Sequence, residues 1–278
     1  MAPIILILGA TYINSAKLIH DFEENVQNTE FQPEASSIEV AEINKKSKRG
    51  WKIRAEKSFG NANLTVIHSK NIEAQIFDED ENLKIKVKSP KAYVNRNTGL
   101  TTLEERTEVL MIEKNTKMIA DKFIINKGQP IEAIGNVQVF LDDQGINHIN
   151  AEKAIINENL EDITLYKISE SPVSDNMLMK GGKLNMLQDN SKNRGSNNNS
   201  SPRKLVLEEG AWIKNKNTTC QSKRMDIFLN DSGNPTSAVF TGSPVAIQNR
   251  TKVKANRIEY TLSNNKVKAS GNVRSELI

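Results

Sequence analysis

Ile149-Asn150-Ala151-Glu152-Lys153-Ala154-Ile155-Ile156 is one copy of a segment that occurs six times in this chain. The others are VKSPKAYV at 87–94, MIADKFII at 118–125, MKGGKLNM at 179–186, CQSKRMDI at 220–227 and VKANRIEY at 253–260. The copies start 31, 31, 30, 41 and 33 residues apart. Self-similarity at such a period marks a stacked structural unit. The shared pattern is apolar, any, small, any, basic, apolar, any, apolar. The small residues are Ser89, Ala120, Ala151, Gly181, Ser222 and Ala255; the basic ones are Lys91, Lys122, Lys153, Lys183, Arg224 and Arg257.

Strand side chains alternate between faces, so the first and third places share one face. The sixth and eighth places are also apolar but have the opposite parity. An extra residue at the basic place, as a β-bulge or sharp corner supplies, returns both halves to one inward face. The small residue before it lets a neighbouring layer approach. Each unit therefore bends once and returns on the next, which predicts an elongated, bent, two-layer sheet.

The surrounding sequence agrees. Alternating runs such as 137–141 and 63–67 are separated by turn signals: 78–82, Asn97-Thr98-Gly99, 142–145, 157–159, 231–235 and Ser263-Asn264-Asn265. Strands of about six to eight residues between such turns read as antiparallel all-β structure. The long interval of 41 contains residues 189–203 (DNSKNRGSNNNSSPR), too poor in apolar side chains to order themselves. They read as a flexible insertion at a hairpin tip.

Residues 3–13 (PIILILGATYI) are almost wholly apolar. That is short of the roughly 20 residues that span a bilayer. It suits the apolar region of a signal peptide, with Ala16 as the cleavage residue. The missing basic residue before the run and the size of Asn14 fit that less well. A short membrane anchor or a buried first strand are the alternatives. Residues 1–22 are thus a signal peptide or short anchor, 23–57 a variable charged segment, and 58–278 the β domain. Residues 45–50 (KKSKRG) read as a solvated loop.

Composition removes several classes. A net charge of +4 from 38 basic and 34 acidic residues is too mild for a nucleic-acid binder. The single cysteine, Cys220, excludes an internal disulfide and a Cys-rich zinc site, and its repeat position predicts burial. Asn, Lys and Ile are abundant, as A+T-rich codons would make them, so only patterned ones carry weight. His20, His68 and His148 lack ligand spacing, and no nucleophile elbow, phosphate loop or metal motif occurs. The acidic run at 78–81 lacks the glycine and alternation of a calcium loop. The chain reads as a non-enzyme with no cofactor.

Two further stretches sharpen this. Gly135-Asn136-Val137 followed by 149–154 is one. The run from Gly242-Ser243-Pro244 through 253–260 to Gly271-Asn272-Val273 is the other. Over roughly residues 60–275 the chain resembles the OstA-like lipopolysaccharide export family. Its domain occurs in the bridge protein LptA, in LptC and in the N-terminal part of LptD. The C-terminal run is LptA-like, and residues 64–95 are more similar to LptC. The chain exceeds a typical LptA in length, and the insertion at 189–203 is unusual for the family.

The resemblance implies a twisted open β-jellyroll in the periplasm, either free or tethered to the inner membrane. It implies lipid A acyl chains of lipopolysaccharide in an apolar interior. It also implies edge strands that pair with LptC, LptD or another copy. The inward residues Met118, Ala120, Phe123, Ile125, Ile149, Ala151, Ala154, Ile156, Val253, Ala255, Ile258 and Tyr260 become candidate lipid contacts; without the resemblance they would be plain core. Lys122, Lys153, Arg224 and Arg257 become candidate phosphate contacts, because like charges stacked one per repeat repel. The alternative for that row is solvent-facing residues neutralised by Asp121 and Glu152. The C-terminal stretch 269–278 is a candidate docking edge. A β-solenoid carbohydrate-active enzyme and a ligand-free scaffold are the competing readings. The first would show coils of about 20–25 residues and clustered carboxylates.

Overall fold

Apolar and polar side chains alternate along runs long enough to make strands, and strands are what form. The computed structural model describes residues 34–43, 50–61, 63–78, 80–112, 116–126, 129–140, 148–157, 162–174, 176–187, 204–230 and 234–278. Residues 1–33, the basic cluster at 45–49 and the insertion at 189–203 lie outside them. The described residues hold eighteen strands in one antiparallel sheet that is open, not a barrel. In chain order they are β1 (Glu34–Ile43), β2 (Gly50–Gly60), β3 (Val66–Phe77), β4 (Leu83–Asn95), β5 (Leu100–Met111), β6 (Thr116–Asn126), β7 (Ile131–Phe140), β8 (His148–Ile156) and β9 (Ile163–Ser174). There follow β10 (Met177–Leu187), β11 (Lys204–Asn215), β12 (Thr218–Leu229), β13 (Pro235–Thr241), β14 (Val245–Gln248), β15 (Thr251–Lys254), β16 (Arg257–Thr261), β17 (Lys266–Ser270) and β18 (Arg274–Leu277). The all-β fold read from the repeat is the fold observed, and the open antiparallel sheet is consistent with the twisted jellyroll that the resemblance implies.

The chain divides into two compact units. One takes in the described residues up to 112, with those of 119–134 and Asn157. There β1 to β5 pair in succession. The other takes in 116–118, 135–156 and the described residues from 162 onward. There β8 to β12 pair in succession. Strand β12 then pairs with β14 through its first half and with β13 through its second. Two lanes continue from it: β14, β15, β18 and β13, β16, β17.

The parity change expected from the repeat is present. In β4 the buried positions are 85, 87 and 89, then 92 and 94. In β8 they are 149 and 151, then 154 and 156. The bulge itself is not where the sequence put it. Between β4 and β5, Glu105-Arg106-Thr107 of β5 oppose Ser89-Pro90 of β4. Between β10 and β11, Glu209-Gly210-Ala211 of β11 oppose Gly181-Gly182 of β10. The extra residue belongs to the partner strand, beside the repeat and not within it. The reason is conformational. Corner residues adopt positive φ, as at Glu105 (64°), Arg106 (61°), Asn136 (45°) and Gly210 (90°), and glycine and asparagine do so at least cost. Strands β7 and β11 supply such residues in Asn136 and Gly210, whereas β5 turns its corner on Glu105 and Arg106.

Three boundaries differ from the sequence reading. From β3 to β12 the strands run 9 to 13 residues, longer than expected, because the corner falls inside each strand. Among the described residues, strands begin at Glu34, upstream of residue 58, because the inward pattern of Ile53 and Ala55 is diluted by flanking charges. Residues 63–65 form a turn, and the strand starts at Val66.

Candidate functional site

The inward face is apolar and closely filled. Of the twelve candidate lipid contacts, Met118, Ile149, Ala154, Ile258 and Tyr260 are 0% exposed, and Ala120, Phe123, Ile125, Ala151, Ile156 and Ala255 are also buried. Val253 is half-buried. Each large side chain so placed contributes roughly 1.5–3 kcal/mol to folding. The face is therefore core in this state. Few rings interrupt it, so its surface is dominated by flexible Ile, Leu and Met side chains.

Five of the six basic residues of the row have partners. Lys122 Nζ lies 2.8 Å from Glu104. Arg224 bonds Glu208 at 2.8 Å and Asp226 at 3.0 Å, and Arg257 bonds Glu259 at 3.0 Å. Lys91 pairs with Glu105. Lys153 stands opposite Tyr166 in the register, and it too has a partner. The argument from like-charge repulsion fails on topology. The repeat strands are not neighbours, since a strand bearing Glu104 and Glu105, or Glu208, intervenes. Of the counter-ions named from sequence, Glu152 does pair, but with Lys167 at 2.6 Å.

The first unit carries an open cleft of about 820 Å³ across β1 to β5, with Ser37, Asn71, Pro90 and Arg106 among its lining. One wall is a cross-strand ladder of alternating sign: Glu39, Arg54, Glu73, Lys88 and Glu108 stand opposite one another in turn. Arg54 bonds Glu39 at 2.6 Å and Lys88 bonds Glu73 at 3.0 Å. Lys52 and Arg54 hold Glu39 below the ordinary carboxylate range, and Lys88 does the same for Glu73.

The C-terminal stretch is two strands, β17 and β18, joined through Gly271-Asn272-Val273. Strand β18 pairs with β15 and β17 with β16. Val273, Leu277 and Ile278 are 51%, 85% and 59% exposed, so this end presents apolar side chains to solvent.

Sequence reading missed a buried polar cluster in the second unit. Asn215 Nδ2 donates to Tyr260 Oη at 2.8 Å, and the Tyr260 hydroxyl donates to Asn265 Oδ1. Thr218 Oγ1 donates to Asn265 Oδ1 at 3.0 Å. Gln248 Nε2 donates to Thr218 Oγ1 at 2.9 Å and to the Asn265 carbonyl at 2.8 Å. Burial pushes the Tyr260 hydroxyl above its ordinary pKa, so it stays a donor. The only signal was a set of Asn residues at turn tips, which the composition had discounted.

The remaining chemistry-bearing groups stand apart. His68 packs against Tyr93 and His148 against Phe140. Cys220 is buried, as its repeat place predicts, and burial pushes its thiol up to about 12. Among the described residues no group of His, Cys, Asp and Glu could hold a metal ion.

No family model matches the chain, and neither does any curated protein. Among solved structures it is similar to LptH, the LptA homologous periplasmic component of the lipopolysaccharide transport device of Pseudomonas aeruginosa. The identity is 11% and the TM-score 0.33, over 60% of this chain and 96% of that one.

Proposed function

We propose that this chain is an exported, non-catalytic lipopolysaccharide transport protein of the periplasm. It holds lipid A acyl chains against its apolar inner face. It pairs its edge strands with other OstA-like domains, in LptC, LptD or a second copy, to bridge the two membranes. Residues 1–22 serve as export signal or tether. The observation that carries this reading is the six-fold repeat itself, whose apolar places are buried within each unit, the half-buried Val253 apart, in an open sheet that ends in the exposed strands β17 and β18. Shielding acyl chains is worth about 0.8 kcal/mol per CH₂. Several chains would be held firmly, so release requires work from outside the protein.

A ligand-free scaffold is the second reading, favoured by how completely the interior is filled. One experiment separates them. A photo-crosslinking residue is placed at Ile156, which is 2% exposed and inward, and as a control at Asn157 beyond the strand end. Crosslinking to lipopolysaccharide at Ile156 alone is the expected result. A folded, β-rich protein that crosslinks at neither position is a scaffold.

A further inference from the structure

We propose that a ligand enters the second unit between its two C-terminal lanes, through a mouth that the Tyr260–Asn265 hydrogen-bond cluster latches shut. This rests on the lipid-binding reading and says where and how that interior opens. The lanes β14, β15, β18 and β13, β16, β17 are joined by covalent chain at the corner, through 242–244, 255–256 and 271–273. Cys220 and Ala246 on one side, and Ala238, Phe240, Ile258 and Tyr260 on the other, are each at most 1% exposed. The hydrogen bonds from Thr218 and Gln248 to Asn265 bring the two sides together over these residues.

Away from the corner the lanes meet at hairpin tips, and there the contact is made of hydrogen bonds. Asn265, at the tip of the β16–β17 hairpin, takes bonds from Thr218 and Gln248 and gives one to Asn217 Oδ1 at 3.1 Å. Tyr260 receives Asn215 from across the gap. Thr218 is 1% and Asn215 6% exposed, so the cluster seals the interior on that side.

The chemistry suits a reversible closure. Neutral amides and hydroxyls recover their hydrogen bonds from water when parted, so opening costs far less than breaking an apolar seam. The same amides can donate to ester or amide carbonyls. Under the lipid-binding reading the ligand is an amphiphile whose alkyl chains hang from carbonyl linkages: the chains pass inward and the carbonyls replace the latch's own acceptors.

The test uses the full chain and a fatty-acid amide bearing a fluorophore at its head, with uptake followed by stopped flow. Tyr260→Phe keeps the ring and removes the hydroxyl; Asn265→Ala removes the hub of the cluster. Uptake is expected to accelerate about tenfold in Asn265→Ala and less in Tyr260→Phe. Amide hydrogen exchange should rise in β14 and β16 and stay unchanged in β8. Gly182→Ala strains the β10–β11 corner, away from the mouth and outside the inner face, and should leave uptake within about twofold. Probe binding at equal rates in every variant overturns the latch and leaves the lipid reading standing, as does equal acceleration by Gly182→Ala. No binding by the unaltered chain overturns the lipid reading itself. If Asn265→Ala does not fold, Tyr260→Phe decides.

Discussion

At the scale of single residues the corners are where this chain is least tolerant. A Cβ on Gly182 would sit 2.6 Å from Glu209 Cβ and 2.9 Å from its carbonyl oxygen. The backbone cannot yield as a side-chain tip can. Gly182→Ala is expected to destabilise the chain by about 1–3 kcal/mol, read from the denaturant midpoint. An unchanged midpoint would show that the β10–β11 corner is loose. Thr101 gives the opposite sign. Its hydroxyl is fully buried and has no hydrogen-bond partner among the described residues. Thr101→Val keeps the shape and removes the unpaired group, and should stabilise by about 1 kcal/mol. Destabilisation would mean that the hydroxyl is satisfied after all. Sequence reading found the small residue Gly181 and its close approach, which is to Leu207, but not the need for Gly182, because closeness to Glu209 is a property of the β11 bulge.

At the scale of elements the strands hold register through paired faces. Inside, apolar positions fix it: a slip of one residue would expose every buried side chain of β8. Outside, the ladder from Glu39 to Glu108 reinforces it in the first unit. Arg54→Glu would set three acids side by side on β1, β2 and β3. Stability should fall, and the loss should shrink in high salt, since like charges then face each other on both sides of β2. An unchanged denaturant midpoint would mean that the ladder is decorative. The alternation of sign was not legible in the sequence. It depends on which residues stand opposite, and the bulges shift that register.

At the scale of the whole molecule many carboxylates share one electrostatic condition. Lys84 and the N–H groups of Asn82 and Asp80 hold Asp78 well below the usual range. Lys122 lowers Glu104, Lys88 lowers Glu73, Lys52 and Arg54 lower Glu39, and Lys252 lowers Glu276. A carboxylate with a depressed folded pKa adds stability above its unfolded value and loses it as pH falls. Unfolded carboxylates titrate near 4. The urea midpoint should therefore hold steady from neutral pH to about 5 and fall below that. Because these groups are exposed, salt should flatten the decline. A midpoint that rises on acidification would contradict the assignment.

The sequence by itself determined the strand class, the inward face and the place of each bend, because period, parity and turn chemistry are local and every copy repeats them. It also placed Cys220, Ile149 and Tyr260 inside. Only the tertiary structure decided which strand carries each bulge and what the basic row meets. It also decided that the chain splits into two lanes after β12 and that Asn215, Thr218, Gln248 and Asn265 converge on Tyr260. Those features join residues up to 50 positions apart (Asn215 to Asn265) across strands that are neighbours only once folded. Pairing and register are long-range facts, and no local pattern encodes them.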